Sequence, residues 1–146
     1  MKRTALFAGS FDPFTKGHYA LLVRALRMFD RIIVAIGTNS AKRCMFTLDE
    51  RIDAIKQAFA GEERIEVTTY SSLTMDFAKE VGADVLLRGV RSVKDFEYER
   101  EIADMNFRLG GIDTVLLISE PQYSSISSSV VKELITYGKD VSSLLP

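Results

Sequence analysis

Ten residues near the amino end bring together the ingredients of a phosphate site: Gly9-Ser10-Phe11-Asp12-Pro13-Phe14-Thr15-Lys16-Gly17-His18. Gly9 and the small hydroxyl residue Ser10 let backbone N–H groups approach phosphate oxygens. Gly17 allows close approach where a helix begins, an end whose partial positive charge favours anions. His18 would face that anion. It is the single histidine of the chain and stands off the apolar stripe of Leu22, Leu26 and Phe29. The alternative, a histidine that merely caps a helix, is disfavoured by its setting beside Gly17. Further on, Arg88 and Arg91 flank a glycine just after an apolar run, a spacing that could set two guanidinium forks around a phosphate chain. The competing reading is a pair of solvated loop arginines matched to Asp95 or Glu97. Tyr123-Ser124-Ser125-Ile126-Ser127-Ser128-Ser129 precedes the last helical pattern, so hydroxyls and free N–H groups would meet at a second helix start, unless the serines supply only one N-cap within a loop.

Something must carry these groups to one place. Short apolar runs rich in β-branched residues occur at Thr4–Ala8, Arg31–Ile36, Arg64–Thr69, Asp84–Leu87 and Asp113–Ile118, each short enough for a buried strand. Helical spacing appears between them, at Leu22, Leu26 and Phe29; at Ile52, Ile55 and Phe59; at Leu73, Phe77 and Val81; at Ile102, Met105 and Leu109; and at Val130, Val131, Leu134 and Ile135. Thr47-x-x-Glu50 is a capping box, Ser92-x-x-Asp95 a related start signal, and Gly138 stands just past the last apolar helical residue. Regular alternation of strand and helix predicts an α/β domain over residues 1–146, with a doubly wound, five-stranded parallel sheet. Ligands of such sheets sit beyond the carboxyl ends of the strands, where the loops Gly9–Pro13, Gly37–Met45, Tyr70–Thr74, Arg88–Arg91 and Ser119–Ser129 are expected.

Composition narrows the partners. The chain has 146 residues, 47% of them hydrophobic, with nineteen basic against twenty acidic side chains. One core can form without disulfides or metals. A net charge near zero argues against nucleic acid and anionic membranes, so any anion site must be local. Cys44 has no partner for an internal bridge, and no apolar run approaches the roughly 18 residues that span a bilayer. Only Ala5–Ala8 follows the basic Lys2-Arg3, too brief for a signal-peptide core, and a reducing cytoplasm is the expected compartment.

Thr15-Lys16-Gly17-His18, preceded by Gly9-Ser10-Phe11-Asp12-Pro13, resembles the T-x-G-H variant of the H-x-G-H signature of nucleotidylyltransferases, as bacterial phosphopantetheine adenylyltransferases carry it. Four further stretches resemble that family in the same order: Ser40-Ala41-Lys42-Arg43; Phe46-Thr47-Leu48-Asp49-Glu50-Arg51; Leu87-Arg88-Gly89-Val90-Arg91 with Asp95-Phe96-Glu97-Tyr98-Glu99; and Ile126-Ser127-Ser128-Ser129. Together they cover nearly the whole chain. The resemblance implies a Rossmann-like fold and transfer of the adenylyl group of ATP to 4′-phosphopantetheine in coenzyme A biosynthesis. It implies His18, Lys42 and Arg91 as catalytic groups. ATP would be met by Ser10, Phe11, His18, Gly89, Val90, Arg91, Glu99 and the Tyr123–Ser129 segment, including Ser124, Ser125, Ile126, Ser127 and Ser128. The acceptor would be met by Ser10, Lys42, Thr74, Arg88, Met105 and Asn106. The family also implies a homohexamer built from two trimers, and magnesium delivered with ATP, since no His/Asp/Glu cage for a metal is visible in the sequence.

The implied chemistry is direct in-line attack of the acceptor phosphate on the α-phosphorus of ATP, driven by positioning and charge neutralisation. Ser10 stands where the family generally has threonine, and Thr74 where a larger apolar residue is common. The chain stops at Leu144-Leu145-Pro146, short of the family's C-terminal helix, which bears on feedback by coenzyme A and on subunit packing. The rival readings are a superfamily member that uses a cytidylyl group or nicotinamide mononucleotide, and a non-catalytic module that senses adenine nucleotides.

Overall fold

In the computed structural model, which describes residues 2–38 and 43–146, strand and helix alternate through the domain. The elements are β1 (Thr4–Gly9), α1 (Lys16–Ala25), β2 (Arg31–Gly37), α2 (Leu48–Ala58), β3 (Ile65–Tyr70), α3 (Thr74–Glu80), β4 (Val85–Val90), α4 (Val93–Gly110), β5 (Asp113–Ile118) and α5 (Ser128–Thr136), with short 3-10 turns at Pro121–Tyr123 and Ser142–Leu144. The strands form one parallel sheet in the order β3-β2-β1-β4-β5. Consecutive β-branched and aliphatic residues suit this arrangement because both faces of a covered parallel sheet are dry. One face, Ala5, Phe7, Ile32, Val34, Ile36 and Leu87, packs on Leu21, Leu22 and Ala25 of α1 and Ile55 of α2. The other, Leu6, Ala8, Ile33, Ala35 and Leu86, packs on Met75, Phe77 and Ala78 of α3.

Helix starts follow local chemistry. The Thr47 hydroxyl accepts from Glu50 N–H while Glu50 returns the bond to Thr47 N–H, and Ser92 caps α4 by accepting from Asp95 N–H. Gly111 and Gly138 take up the left-handed conformation that ends α4 and α5.

Three expectations from the sequence are corrected. Arg88, Gly89 and Val90 belong to β4 and not to a loop, since the ladder with β5 runs on through Arg88↔Leu116, Gly89↔Leu117 and Val90↔Ile118. Gly89, which reads as a breaker, is instead where α1 comes closest: a β-carbon there would collide with Leu21 Cδ1. The expected stripe of α4 does not face the sheet. Met105 and Leu109 are more than half exposed, and the helix buries Glu99 instead. Finally, Ser128 and Ser129 open α5, with Ser127 as its N-cap.

Leu22 is fully buried against the central strand layer. Leu22→Ala should therefore cost about 2–5 kcal/mol, seen as a lower denaturant midpoint with an unchanged slope.

Candidate active site

The order β3-β2-β1-β4-β5 reverses direction between β1 and β4, the topological switch point at which ligands of this architecture bind. Pairing of these two strands ends early. Only Ala5↔Val85 and Leu6↔Leu86 are in register, whereas β1 stays paired to β2 through Gly9↔Ile36 and β4 to β5 through Val90↔Ile118. The Ala8 carbonyl thus lacks a β4 backbone partner, and Arg88 Nη1 donates to it at 2.7 Å. The remaining edge of the guanidinium donates to Glu99 of α4, Nε to Oε2 at 2.8 Å and Nη2 to Oε1 at 2.7 Å. Burial works against the charge on Arg88, and the Glu99 carboxylate more than compensates, so the guanidinium stays firmly protonated.

Two clefts of about 350 Å³ and 360 Å³ open on either side of this pair. Both include Ala8, Gly9, Ser10, Arg88 and Glu99 in their walls. The first is polar, with His18, the ion pair of Arg91 and Asp95, Tyr123 and Ile126 to Ser129. The second runs between α3 and α4, past Tyr70, Leu73, Thr74, Ile102, Asn106 and Thr114. Tyr70 stacks on Phe77 and its hydroxyl lies 2.9 Å from Thr74 Oγ1. Thr114 Oγ1 is buried among the described residues without a hydrogen-bond partner.

His18 is fixed by its own helix start. Thr15, the N-cap of α1, offers Oγ1 to His18 N–H, and Thr15 N–H donates to His18 Nδ1 at 3.0 Å. An acceptor at Nδ1 leaves the proton on Nε2, the nitrogen free to serve a ligand. Phe14 stacks on the ring, and Phe7 and Phe11 meet it edge-on. Phe11 itself takes a left-handed φ of 47°, a conformation that costs a non-glycine residue free energy and that its packing must offset. Burial in this aromatic wall, followed by the charges of Arg88 and Arg91, holds the imidazole down from 6.5 to about 4. The capping reading thus holds, through Nδ1, and it leaves Nε2 for the cleft that His18 lines.

Arg91 lies just past β4 and donates to Asp95 at 3.1 Å, so that part of the solvated-arginine alternative holds, while Arg88 pairs with Glu99 and not with Asp95 or Glu97. At the other rim, Ser127 caps α5 through Val130 N–H, and Ser128 Oγ donates to the Pro13 carbonyl at 2.8 Å. The loop after β1 is secured from below. Arg51 of α2, itself buried, donates to the Ser10 carbonyl at 2.9 Å. Asp12 is 1% exposed; burial pushes its carboxyl up, but the N–H groups of Phe46 and Met45 and the Lys132 ammonium lower it on balance.

The structure brings Phe11, His18, Gly89, Arg91, Tyr123, Ile126, Ser127, Ser128 and Ser129 to the first cleft, Thr74 and Asn106 to the second, and Ser10, Arg88 and Glu99 to both. Val90, Ser124, Ser125 and Met105 line neither. Lys42 lies outside the described residues. Sequence reasoning missed Tyr70 and Thr114, and it left Asp12 and Arg51 without roles. Tyr70 ends a strand at the ligand-binding edge, which was a usable signal; nothing local marks Thr114.

The description Cytidylyltransferase-like matches residues 6–134, which makes the chain a nucleotidylyltransferase of that family. It is 52% identical over 145 residues to a phosphopantetheine adenylyltransferase of Porphyromonas gingivalis, covering 99% of this chain and 95% of the relative. The corresponding protein of Bacteroides thetaiotaomicron is 48% identical over 144 residues, covering 99% and 95%. The chain belongs to the phosphopantetheine adenylyltransferase family. A bifunctional NMN adenylyltransferase/ADP ribose pyrophosphatase from Francisella tularensis shares the fold, with a TM-score of 0.73 at 15% identity over 99% of this chain and 45% of that one. The same protein complexed with AMP and Mn ion gives a TM-score of 0.71 at 14% identity, covering 99% and 44%.

Because the chain has one histidine, its ring signals in a proton NMR titration are unambiguous. They should move near pH 4 and not near 6.5, with the neutral form protonated at Nε2. The unfolded chain binds this proton near 6.5 and the folded one only near 4, so His18 should make stability fall as pH drops across that window. A titration centred at 6.5 would contradict the geometry.

Proposed function

We propose that the chain transfers the adenylyl group of ATP to 4′-phosphopantetheine, releasing pyrophosphate and dephospho-coenzyme A. The observation that carries this reading is the meeting of two clefts at one arginine. The first cleft, with His18, Arg91 and the start of α5, suits a nucleotide's phosphates, and the second suits an arm with mixed polar and apolar contacts. An acceptor phosphate reaching Arg88 from the second cleft would face the α-phosphate of ATP in the first.

The reaction is an in-line displacement. An oxygen of the acceptor phosphate forms a bond to the α-phosphorus, the bond to the bridging oxygen breaks, and pyrophosphate departs with that electron pair. No base is required, because the nucleophile is already an anion. His18 donates from Nε2 as a neutral group to the phosphorus oxygens as charge builds on them, and Arg91 and the first turn of α5 stabilise the phosphate chain. Lys42 joins this set on family resemblance alone. Magnesium arrives as part of the ATP substrate, a reading consistent with the manganese ion named for the Francisella tularensis protein.

We place the enzyme in the cytoplasm; no described helix is long and apolar enough to cross a membrane. Met105, Phe107 and Leu109 are more than half exposed along α4. This apolar surface supports assembly into a homohexamer of two trimers.

Two measurements test the activity. With magnesium-ATP at matched acceptor concentrations, 4′-phosphopantetheine should be adenylated far faster than nicotinamide mononucleotide or glycerol 3-phosphate, and pantetheine without its phosphate should be inert. A preference for another phosphorylated acceptor would overturn the assignment. His18→Ala should lower turnover by about 100-fold or more while ATP still binds, since the side chain serves developing charge; near-normal turnover would remove His18 from the chemistry.

A further inference from the structure

Asp12 belongs to the motif that first draws attention in the sequence, yet its side chain lines neither cleft. It is almost completely buried, and the reason is its partners. Oδ1 accepts from Phe46 N–H at 2.9 Å and Oδ2 from Met45 N–H at 2.8 Å, both in the segment that leads into α2. Oδ2 also meets Lys132 Nζ of α5 at 3.4 Å. One carboxylate therefore joins its own loop to two distant segments, through partners 33, 34 and 120 residues away. A solvated loop aspartate gains nothing from burial, whereas a carboxylate with three donors can be held there as an anion.

Two neighbouring bonds give the junction its direction. Ser128 Oγ donates to Pro13 O, so the first turn of α5 is tied to the residue after Asp12. Arg51 Nη1 donates to Ser10 O, so α2 holds the residue two before it. The loop bearing Ser10 and the helix start bearing Ser127 to Ser129 both line the first cleft. The Asp12 carboxylate and the Lys132 ammonium tie the same loop to the same helix.

We propose that Asp12 is a positioning residue for adenylyl transfer: its buried carboxylate, bridging the segment before α2 and Lys132 of α5, holds the Ser10 loop and the start of α5 at the separation the phosphate chain requires. The proposal rests on the transfer reading above. Misplacing reacting groups without removing any ligand contact lowers turnover more than it weakens binding. Asp12→Asn keeps the shape, removes the charge and turns one acceptor into a donor.

Asp12→Asn should lower kcat at saturating substrates by about tenfold or more, with KM for ATP changed by less than about threefold. Lys132→Met should lower kcat in the same manner, Lys132→Arg should largely restore it, and the double variant Asp12→Asn/Lys132→Met should be no slower than Asp12→Asn alone, because both changes break one junction. A purely structural aspartate would instead lower the melting temperature and leave kcat per folded molecule intact. Folded Asp12→Asn and Lys132→Met with kcat within about twofold of the unaltered enzyme would overturn the proposal. If Asp12→Asn does not fold, the contrast between Lys132→Met and Lys132→Arg decides it. An unaltered enzyme that makes no dephospho-coenzyme A would refute the transfer reading alone. The junction would then be read from amide hydrogen exchange at Val130 and Val131, whose N–H groups are bonded to Ser127, an exchange that either charge-removing variant should speed about tenfold and whose invariance would overturn the role of Asp12.

Discussion

The guanidinium of Arg88, gripped by both oxygens of Glu99 and by the Ala8 carbonyl, closes the gap where β1 and β4 part. A parallel sheet that changes direction must leave such a gap, with unpaired backbone groups at its mouth. Filling it with an arginine satisfies the exposed carbonyl and places a cation where the two clefts meet. The carboxylate that makes this tolerable comes from α4, and Glu99 is the residue that this helix buries. Removing either partner of such a pair strands the other charge in a poorly solvated place, a penalty of about 3–5 kcal/mol when the pair is deeply buried and less here, where the Arg88 side chain is 34% exposed.

That cation shapes its neighbours. Together with Arg91 it repels a proton from His18, an effect added to burial against Phe7, Phe11 and Phe14. A neutral imidazole beside two arginines is a directional donor, fixed in tautomer by Thr15 N–H, while the permanent positive charges sit on groups that never lose them and that are paired with Glu99 and Asp95. Permanent charge and directional hydrogen bonding thus reside on different side chains. The arrangement needs no titration at neutral pH.

Below the cleft lies a second polar layer, Asp12, Arg51 and Lys132, which touches backbone and charge. It ties loops to helices where a hydrophobic core alone would leave the connections loose, since backbone groups in a buried turn must find partners. The departure at Thr74 belongs to the other cleft. There the Thr74 hydroxyl pairs with that of Tyr70, whose ring stacks on Phe77, so this wall carries polar groups.

The elements themselves were legible in the sequence. Periodicity, capping boxes and strand length are local properties, and they located five strands, five helices and the edge that carries the chemistry. That the loop after β1, His18 and the two arginines gather at one cleft was legible too, because they follow strands at the same edge of the sheet. What the local pattern misjudged was decided by partners far along the chain. Gly89 continues a strand because Leu21 of α1 packs on it and β5 pairs with it. The buried face of α4 is chosen by an arginine eleven residues earlier and not by its own apolar stripe. Asp12 looks like a turn residue until residues 45, 46 and 132 surround it. Hydrogen-bond satisfaction of a buried charge is a property of three-dimensional neighbours, and no window of sequence contains them.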